Sequence, residues 1–454
     1  MASKIDENTD SDSSTETEPP FLEKHGQKIV KSLEKKGRLY DHQLEALESV
    51  INWFSTPATA NQTAIVSMPT GSGKTGVICC LPYYFGKYVS SKKLQGIDLN
   101  KPILVIAPGK VILKQLIDNF VPRDDICNSF LLKRGLFNEK KKIQRYHYRA
   151  HIINTADDIA PFTLCLYHIC LVNSQKGHTK SRENIYTWSE LDEDSFSVVI
   201  VDEAHHLPSK TWKDIINRFE AHAKVVFFTA TPFRSDKKKI TEDIDSTGFA
   251  YHMSRKDAVE KEIIRDTNPI DLDQIVGSRY VPSESLQKAK ELLPKIKMRL
   301  EEKNRDQPLP GGTKHMAILC ASSIADAKQI CEEWSHNYSP LTASVIHSEM
   351  SEPKQKSVIC DLKAGKLTLI IIVHMLLEGF DHPPISVAAI ATNIHSPVKF
   401  AQFIGRAQRV YRLDGEQEPS GIKADIISDG FFKQGRNYEK FETEELIPLE
   451  EETD

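Results

Sequence analysis

The chain has 454 residues, 40% of them hydrophobic and 27% charged, with a formal net charge of −4. That length supports two or three domains with full cores, and the charge excludes a global positive field, so any grip on a polyanion must be local. No apolar run approaches the ~20 residues that cross a bilayer. The opening Met1-Ala2-Ser3-Lys4-Ile5-Asp6-Glu7 lacks the apolar core of a secretory signal and is too acidic for a mitochondrial presequence, so an intracellular place, cytoplasmic or nuclear, is expected.

Residues 1–20 are Ser, Thr, Asp and Glu ending in Pro19-Pro20 and read as a disordered acidic tail. Helical periodicity begins near Phe21, and Leu39 to Leu47 opens another helix. Gln43 there can present its amide to an adenine or stand as a surface glutamine. Ala64-Ile65-Val66 then precedes Ser67-Met68-Pro69-Thr70-Gly71-Ser72-Gly73-Lys74-Thr75, and Val77 to Leu81 follows. Strand, glycine-rich loop and helix in that order make a phosphate cradle. Gly71 and Gly73 let the backbone turn and offer N–H groups, Lys74 reaches the β/γ-phosphates, and the Thr75 hydroxyl can hold Mg²⁺. Met68 stands where the general pattern begins with Gly, and a flexible turn that contains Gly-Lys-Thr is the rival reading.

Ile103 to Pro108 suits a buried parallel strand, with a helix from Val111 to Phe120. Lys133, Arg134, Lys140, Lys141, Lys142, Arg145 and Arg149 alternate with Phe137, Tyr146, His147 and Tyr148, a pattern suited to single-stranded nucleic acid or to a solvated helical face. Cys165 and Cys170 flank His168, but no second ligand pair at metal spacing accompanies them, and the 8 cysteines read as reduced core residues. Phe196 to Val201 is another buried strand, with Asp202-Glu203-Ala204-His205 at its C-terminal end. Ligand sites of open α/β sheets lie at such ends; one carboxylate can hold the Mg²⁺ shared with Thr75 and another can activate water. Val225 to Phe228 forms a third strand, ending in Thr229-Ala230-Thr231-Pro232.

Lys256 to Asp266 reads as a charged helix broken by Asn268-Pro269. Strand patterns recur at Met316–Cys320, Ser344–Ile346, Leu369–Val373 and Val387–Ile390, a second α/β domain without a phosphate loop of its own. Its expected job is to complete the first domain's site. In Phe403 to Arg409 the arginines Arg406 and Arg409 fall on one helix face, suited to meeting phosphoryl charge or to plain ion pairing.

In order, these clusters resemble the superfamily 2 helicases and translocases, in the DEAH-box branch around type I/III restriction-enzyme translocase subunits, over roughly residues 38–412. Met68 to Thr75 resembles motif I, Asp202 to His205 motif II, Thr229 to Arg234 motif III, His374 to Asp381 motif V and Gln402 to Arg409 motif VI. The resemblance implies two RecA-like domains in tandem, each a mostly parallel sheet with helices on both faces and ATP in the cleft between them. The implied boundaries are an acidic tail at 1–20, an ATP-binding domain at 21–250, a linker at 251–280, a C-terminal helicase domain at 281–432 and an acidic tail at 433–454. Thr70, Gly71, Ser72, Gly73, Lys74 and Thr75 would bind nucleotide, Thr75 and Asp202 Mg²⁺, and Glu203 would activate water. Arg406, Arg409 and Gln402 would meet the γ-phosphate, and Gly379 and Asp381 would sit near the ribose. His205, Thr229 and Thr231 would couple nucleotide state to grip, and Gln43 would read adenine. The family usually shows Arg and Tyr where Tyr40 and His42 stand. Nucleic-acid contacts would fall at Lys110, Asn173, Ser174, Gln175, Ser322, Ser323 and His347.

The expected activity is an ATP-dependent helicase or translocase acting on DNA or RNA, with a protein partner to supply target choice. One rival is an ATP-driven nucleic-acid sensor or remodelling switch without strand separation. A P-loop kinase or GTPase is the other, disfavoured by the missing guanine-specificity Asn-Lys-x-Asp and by the second domain with its paired arginines.

Overall fold

The computed structural model describes residues 30–35, 38–90, 93–120, 130, 134, 149–154, 168–174, 188–204, 209–230, 248–272, 282–373, 382–413 and 415–443. The expectations for the N-terminal tail, for residues 374–381 with Gly379 and Asp381, and for Gln175, His205 and Thr231 lie outside these residues. So does most of the basic and aromatic stretch at 133–149.

The first domain is a seven-stranded sheet in the order β3-β4-β2-β5-β6-β1-β7. Its strands are β1 (Ala64–Ser67), β2 (Ile103–Ala107), β3 (Arg149–Ile152), β4 (His168–Asn173), β5 (Val198–Val201), β6 (Lys224–Thr229) and β7 (Tyr251–His252), and each pairing is parallel. The helix α1 (Asp41–Ser55) precedes β1, and parallel neighbours need crossovers, here including α2 (Lys74–Ser90), α3 (Gly109–Phe120) and α4 (Ser209–Phe219). Strand residues alternate between two cores. Val198 and Ile200 of β5 pack with α1, α2 and α3, whereas Val199 and Val201 pack with Trp212, Ile215 and Phe219 of α4. Burial on both faces is why these strands read as unbroken apolar runs.

The second sheet has six strands in the order β10-β11-β9-β12-β15-β8, again parallel throughout. They are β8 (Thr267–Ile270), β9 (Met316–Ala321), β10 (Ala343–Ile346), β11 (Leu369–Val373), β12 (Ile385–Ala391) and β15 (Ala424–Ile427). Between the domains lies α5 (Arg255–Glu260); α6 (Ser285–Glu291), α7 (Leu293–Asp306), α8 (Ile324–Asn337), α9 (Glu352–Lys363), α10 (Pro397–Ile404) and α11 (Gly435–Thr443) complete the domain. A small antiparallel hairpin, β13 (Arg412–Leu413) and β14 (Glu416–Gln417), stands apart. The chain thus folds as two RecA-like domains in tandem. Among the described residues no helix is long and apolar enough to cross a membrane.

Two local readings are corrected. The helix expected over Lys256 to Asp266 stops at Glu260, because Glu262 turns with φ 53° and Ile264 then bridges antiparallel to Arg409. Asn268-Pro269 lies inside β8 rather than in a break. Proline lacks the ladder N–H, and β8 is an edge strand where that loss is tolerated. The stretch 251–280 supplies β7 to one sheet and β8 to the other, and α11 falls within 433–454.

Candidate functional site

The phosphate loop leaves β1 and ends where Lys74 opens α2. Gly71 and Gly73 hold φ of 89° and 91°, left-handed values that a side chain strains against. Met68 is fully buried, and its N–H donates to the Thr229 carbonyl at 3.1 Å, tying the loop to the end of β6. Met68 therefore acts as a core residue where the common pattern has glycine. The Ser72 hydroxyl donates to the Pro69 carbonyl at 2.7 Å, and the ammonium of Lys74 donates to the Met68 carbonyl at 3.0 Å. Burial lowers the pKa of Lys74, while Glu203 and Asp202 raise it and Arg409 lowers it further. Two carboxylates from the end of β5 and an arginine from the other domain thus act on one ammonium.

Asp202 follows β5 and is buried; its Oδ1 accepts the Glu203 N–H at 2.9 Å. Burial, then repulsion from Glu203, pushes the Asp202 carboxyl up to about 7, against the pull of Lys74 and of that N–H. Glu203 adopts φ 50°, a strained value for a non-glycine residue at the end of a strand. Among the described residues no cluster of three or more His, Cys, Asp or Glu forms a metal-ligating group. Cys170 is a buried free thiol, and Cys165 lies outside the described residues.

The second domain closes on this loop directly. A Cβ on Gly405 would lie 2.9 Å from Thr70 Cβ, and one on Gly71 would lie 3.1 Å from Arg409 Cγ. The expectation that Arg406 and Arg409 share a helix face is corrected. The helix α10 carrying Gln402 ends at Ile404, Arg406 sits buried in the following turn, and Arg409 is in the bridge to Ile264. Arg265 imposes this path. Its guanidinium donates to the carbonyls of Ala407 at 3.0 Å and Ile385 at 2.7 Å, and its peptide carbonyl accepts Gln408 Nε2 at 3.1 Å.

Gln43 is not a surface residue. It is 1% exposed, its Oε1 accepts the Tyr40 N–H at 3.1 Å, and its Nε2 donates to the Gly73 carbonyl at 3.0 Å. His42 Nε2 donates to the Ser72 carbonyl at 2.7 Å, so the start of α1 braces the loop twice. Tyr40, just before α1, carries the guanidinium of Arg412 over its ring at 4.6 Å. The sequence signal for Tyr40 and His42 was their departure from the family pattern; Arg265 and Arg412 carried none.

The expected nucleic-acid residues fall at the C-terminal ends of strands. Lys110 follows β2, Asn173 ends β4, Ser322 follows β9 and His347 follows β10. Ser174 is buried, and its peptide N–H donates to the Ala107 carbonyl at 3.0 Å. The Ser322 hydroxyl donates to the Ala391 carbonyl at 2.9 Å, and Ser323 caps α8 by accepting the Asp326 N–H at 3.0 Å. Thr229 is fully buried at the end of β6.

Comparison with known proteins gives two family matches. Residues 36–234 match the model described as "Type III restriction enzyme, res subunit", and residues 309–411 match "Helicase conserved C-terminal domain". "Putative helicase 22" of Sulfolobus islandicus filamentous virus is 25% identical over 87% of this chain and 67% of its own length. "Putative mitochondrial ATP-dependent helicase irc3" of Schizosaccharomyces pombe is 22% identical over 82% of this chain, which spans 55% of that relative. Among solved structures, S. cerevisiae Dbp5 bound to RNA and ADP BeF3 aligns with a TM-score of 0.53 at 12% identity, covering 91% of each chain. At that identity the likeness is one of fold.

Proposed function

Because the chain is a superfamily 2 helicase/restriction-translocase-like protein, we propose that it is a nucleic-acid-stimulated ATPase of the DEAH-box branch that hydrolyses ATP between its domains to move along or remodel DNA or RNA. The observation that carries this reading is Arg409 of the second domain packed over Gly71, with Lys74 feeling Asp202, Glu203 and Arg409 at once. A site that gathers both charges from two separate domains suits a reaction whose transition state spreads negative charge over phosphoryl oxygens.

Backbone N–H groups of Thr70 to Gly73 cradle the phosphates, and Lys74 exchanges its Met68 carbonyl for phosphate oxygens. Asp202, buried beside a second carboxylate, is a ready partner for a cation, and with Thr75 it would hold Mg²⁺, which supplies positive charge at the β- and γ-phosphates. Glu203 orients and deprotonates the attacking water. Arg406, Arg409 and Gln402 meet the γ-phosphate, while Gly379 and Asp381 line the ribose. Lys110, Asn173, Ser174, Gln175, Ser322, Ser323 and His347 contact the polynucleotide, and His205, Thr229 and Thr231 pass nucleotide state to that grip.

ATP turnover with single- and double-stranded DNA and RNA tests the reading. At least one polynucleotide should raise turnover, and Lys74→Ala and Glu203→Gln should each lower it about 100-fold or more. If no polynucleotide stimulates and neither substitution matters, the motor reading fails. Stimulated turnover without strand displacement would assign the chain to a translocase or a shape-changing switch.

A further inference from the structure

We propose that a groove lined by parts of 259–266 and 410–423 is a docking site for an arginine side chain of a partner protein. The groove has a volume of about 210 Å³. That is less than the ~300–1,000 Å³ of pockets that enclose a drug-sized molecule, and it suits a single side chain. Val259, Ile264, Val410 and Ile422 supply apolar wall from both segments. At the base lie Arg265 and Glu418, both buried and paired with each other. Arg265 also holds the Ile385 and Ala407 carbonyls, and Glu418 also takes the Tyr411 N–H. The base is therefore neutral, with its hydrogen bonds already made.

Charge at the mouth selects the occupant. Four carboxylates, Glu260, Glu262, Asp266 and Glu418, line the groove with two cations, Arg265 and Lys423. Arg265 is spent on Glu418, and Lys423 on Asp266 at 2.9 Å. Glu260 and Glu262 remain, both exposed, and neither has a cation within ion-pairing distance among the described residues. Neutral donors fix the Glu262 carboxylate: the Ser420 hydroxyl and, at 3.5 Å, Gln417 Nε2. A cation on an apolar stem matches this groove twice, with methylenes against the walls and the head at the two carboxylates. Arginine fits better than lysine, because its planar fork can serve two acceptors at once. The position gives docking a consequence. Ile264 bridges to Arg409, and the Arg265 N–H donates to the Gln408 carbonyl at 2.6 Å. A side chain wedged between the two segments braces the bridge that carries Arg409.

Binding of acetyl-arginine amide to the full chain, followed by ligand-observed NMR and by amide hydrogen exchange, tests this. The arginine probe should bind with a Kd of about 1 mM and slow exchange within 262–266 and 408–411. The citrulline analogue, which keeps the shape and loses the charge, should not bind measurably. A guanidinium on a stem two methylenes shorter should bind about five-fold more weakly. Glu260→Gln and Glu262→Gln, both at exposed positions, should each weaken binding about two- to five-fold, and together about ten-fold. Equal binding of the citrulline or short-stemmed probe, undiminished binding in the double variant, or protection confined to other segments overturns the proposal. Spermidine binding more than about 100-fold tighter through the same carboxylates would make the occupant a free polyamine instead. A dimer seen in the wild type and lost in the double variant would make it a second copy of this chain. Either result overturns the assignment to a partner protein. None of these readouts involves ATP, so their failure leaves the ATPase reading standing.

Discussion

Arg265 and Glu418 meet as a buried ion pair, Nε to Oε1 at 2.7 Å, with side chains 1% and 3% exposed. The other arm of the same guanidinium holds the Ala407 carbonyl, between Arg406 and Arg409. Glu418 Oε2 in turn accepts the Tyr411 N–H at 2.9 Å, fixing the chain beyond Arg409. The pair therefore sets where the two arginines stand.

Removing one partner of such a pair leaves a buried charge uncompensated. Glu418→Ala should cost about 3–5 kcal/mol of second-domain stability, measured by urea unfolding. In protein that remains folded, kcat should fall while KM for ATP changes little, as follows from the proposed action of the displaced arginines on transition-state charge. A proportional rise in KM with unchanged kcat would show that Glu418 serves nucleotide binding instead.

The apolar framework of both sheets was legible in the sequence. Runs such as Val198–Val201 and Leu369–Val373 are buried on both faces, which writes them as continuous β-branched stretches. Strand β15 has no such signature because it carries Asp425, a fully buried carboxylate that accepts hydrogen bonds from Asn268 Nδ2 at 2.8 Å and Arg299 Nε at 2.9 Å. A polar residue satisfied by distant partners looks like a loop residue until those partners are known. The same holds at the site. The phosphate loop and the Asp202-Glu203 pair are local and were readable, whereas the bracing of Gly73 by Gln43 joins residues thirty apart. The Arg265 contacts join residues more than a hundred apart, and no periodicity encodes such pairings.

Gly405→Ala isolates the domain contact. Gly405 has φ −56° and ψ −15°, helical values that alanine adopts freely, so the backbone gains no strain. The added Cβ would lie 2.9 Å from Thr70 Cβ and 3.0 Å from both Thr70 Cγ2 and the Ala401 carbonyl. Overpacking should cost about 1–3 kcal/mol of stability, while stimulated turnover falls roughly ten-fold or more as the arginines are held off the loop. Adding Thr70→Ser, which removes the Cγ2 methyl, should recover part of the loss; no recovery would place the damage within α10.

Acid should weaken the second domain through His315. Its Nε2 donates to the Gln307 carbonyl at 2.7 Å and its Nδ1 accepts the Ser386 hydroxyl at 2.8 Å, a fully used neutral imidazole. Burial, with help from Arg265 and Lys303, lowers its pKa from 6.5 to about 4. The folded state therefore binds this proton less readily than the unfolded chain. Stability is fully present above pH 6.5 and is lost as pH falls toward 4, by roughly 3 kcal/mol in all. Urea midpoints between pH 7 and 4.5 should show this slope, and His315→Gln should flatten it.

Arg255 ties the segment between the domains to the C-terminal helix. At the start of α5 its guanidinium donates to Thr267 Oγ1 of β8 at 2.6 Å, Asp266 at 3.1 Å and Glu442 of α11 at 3.0 Å, and it lies 4.8 Å over the Phe441 ring. A fork that reaches three acceptors fixes α5 to the second domain. Lysine keeps the charge but can neither fork nor stack. Arg255→Lys should therefore lower stability by about 1–3 kcal/mol and speed proteolysis within 253–266. Its basal turnover should rise relative to stimulated turnover as the domains sample each other without a polynucleotide. Unchanged cleavage with lowered stability would confine Arg255 to packing the second domain.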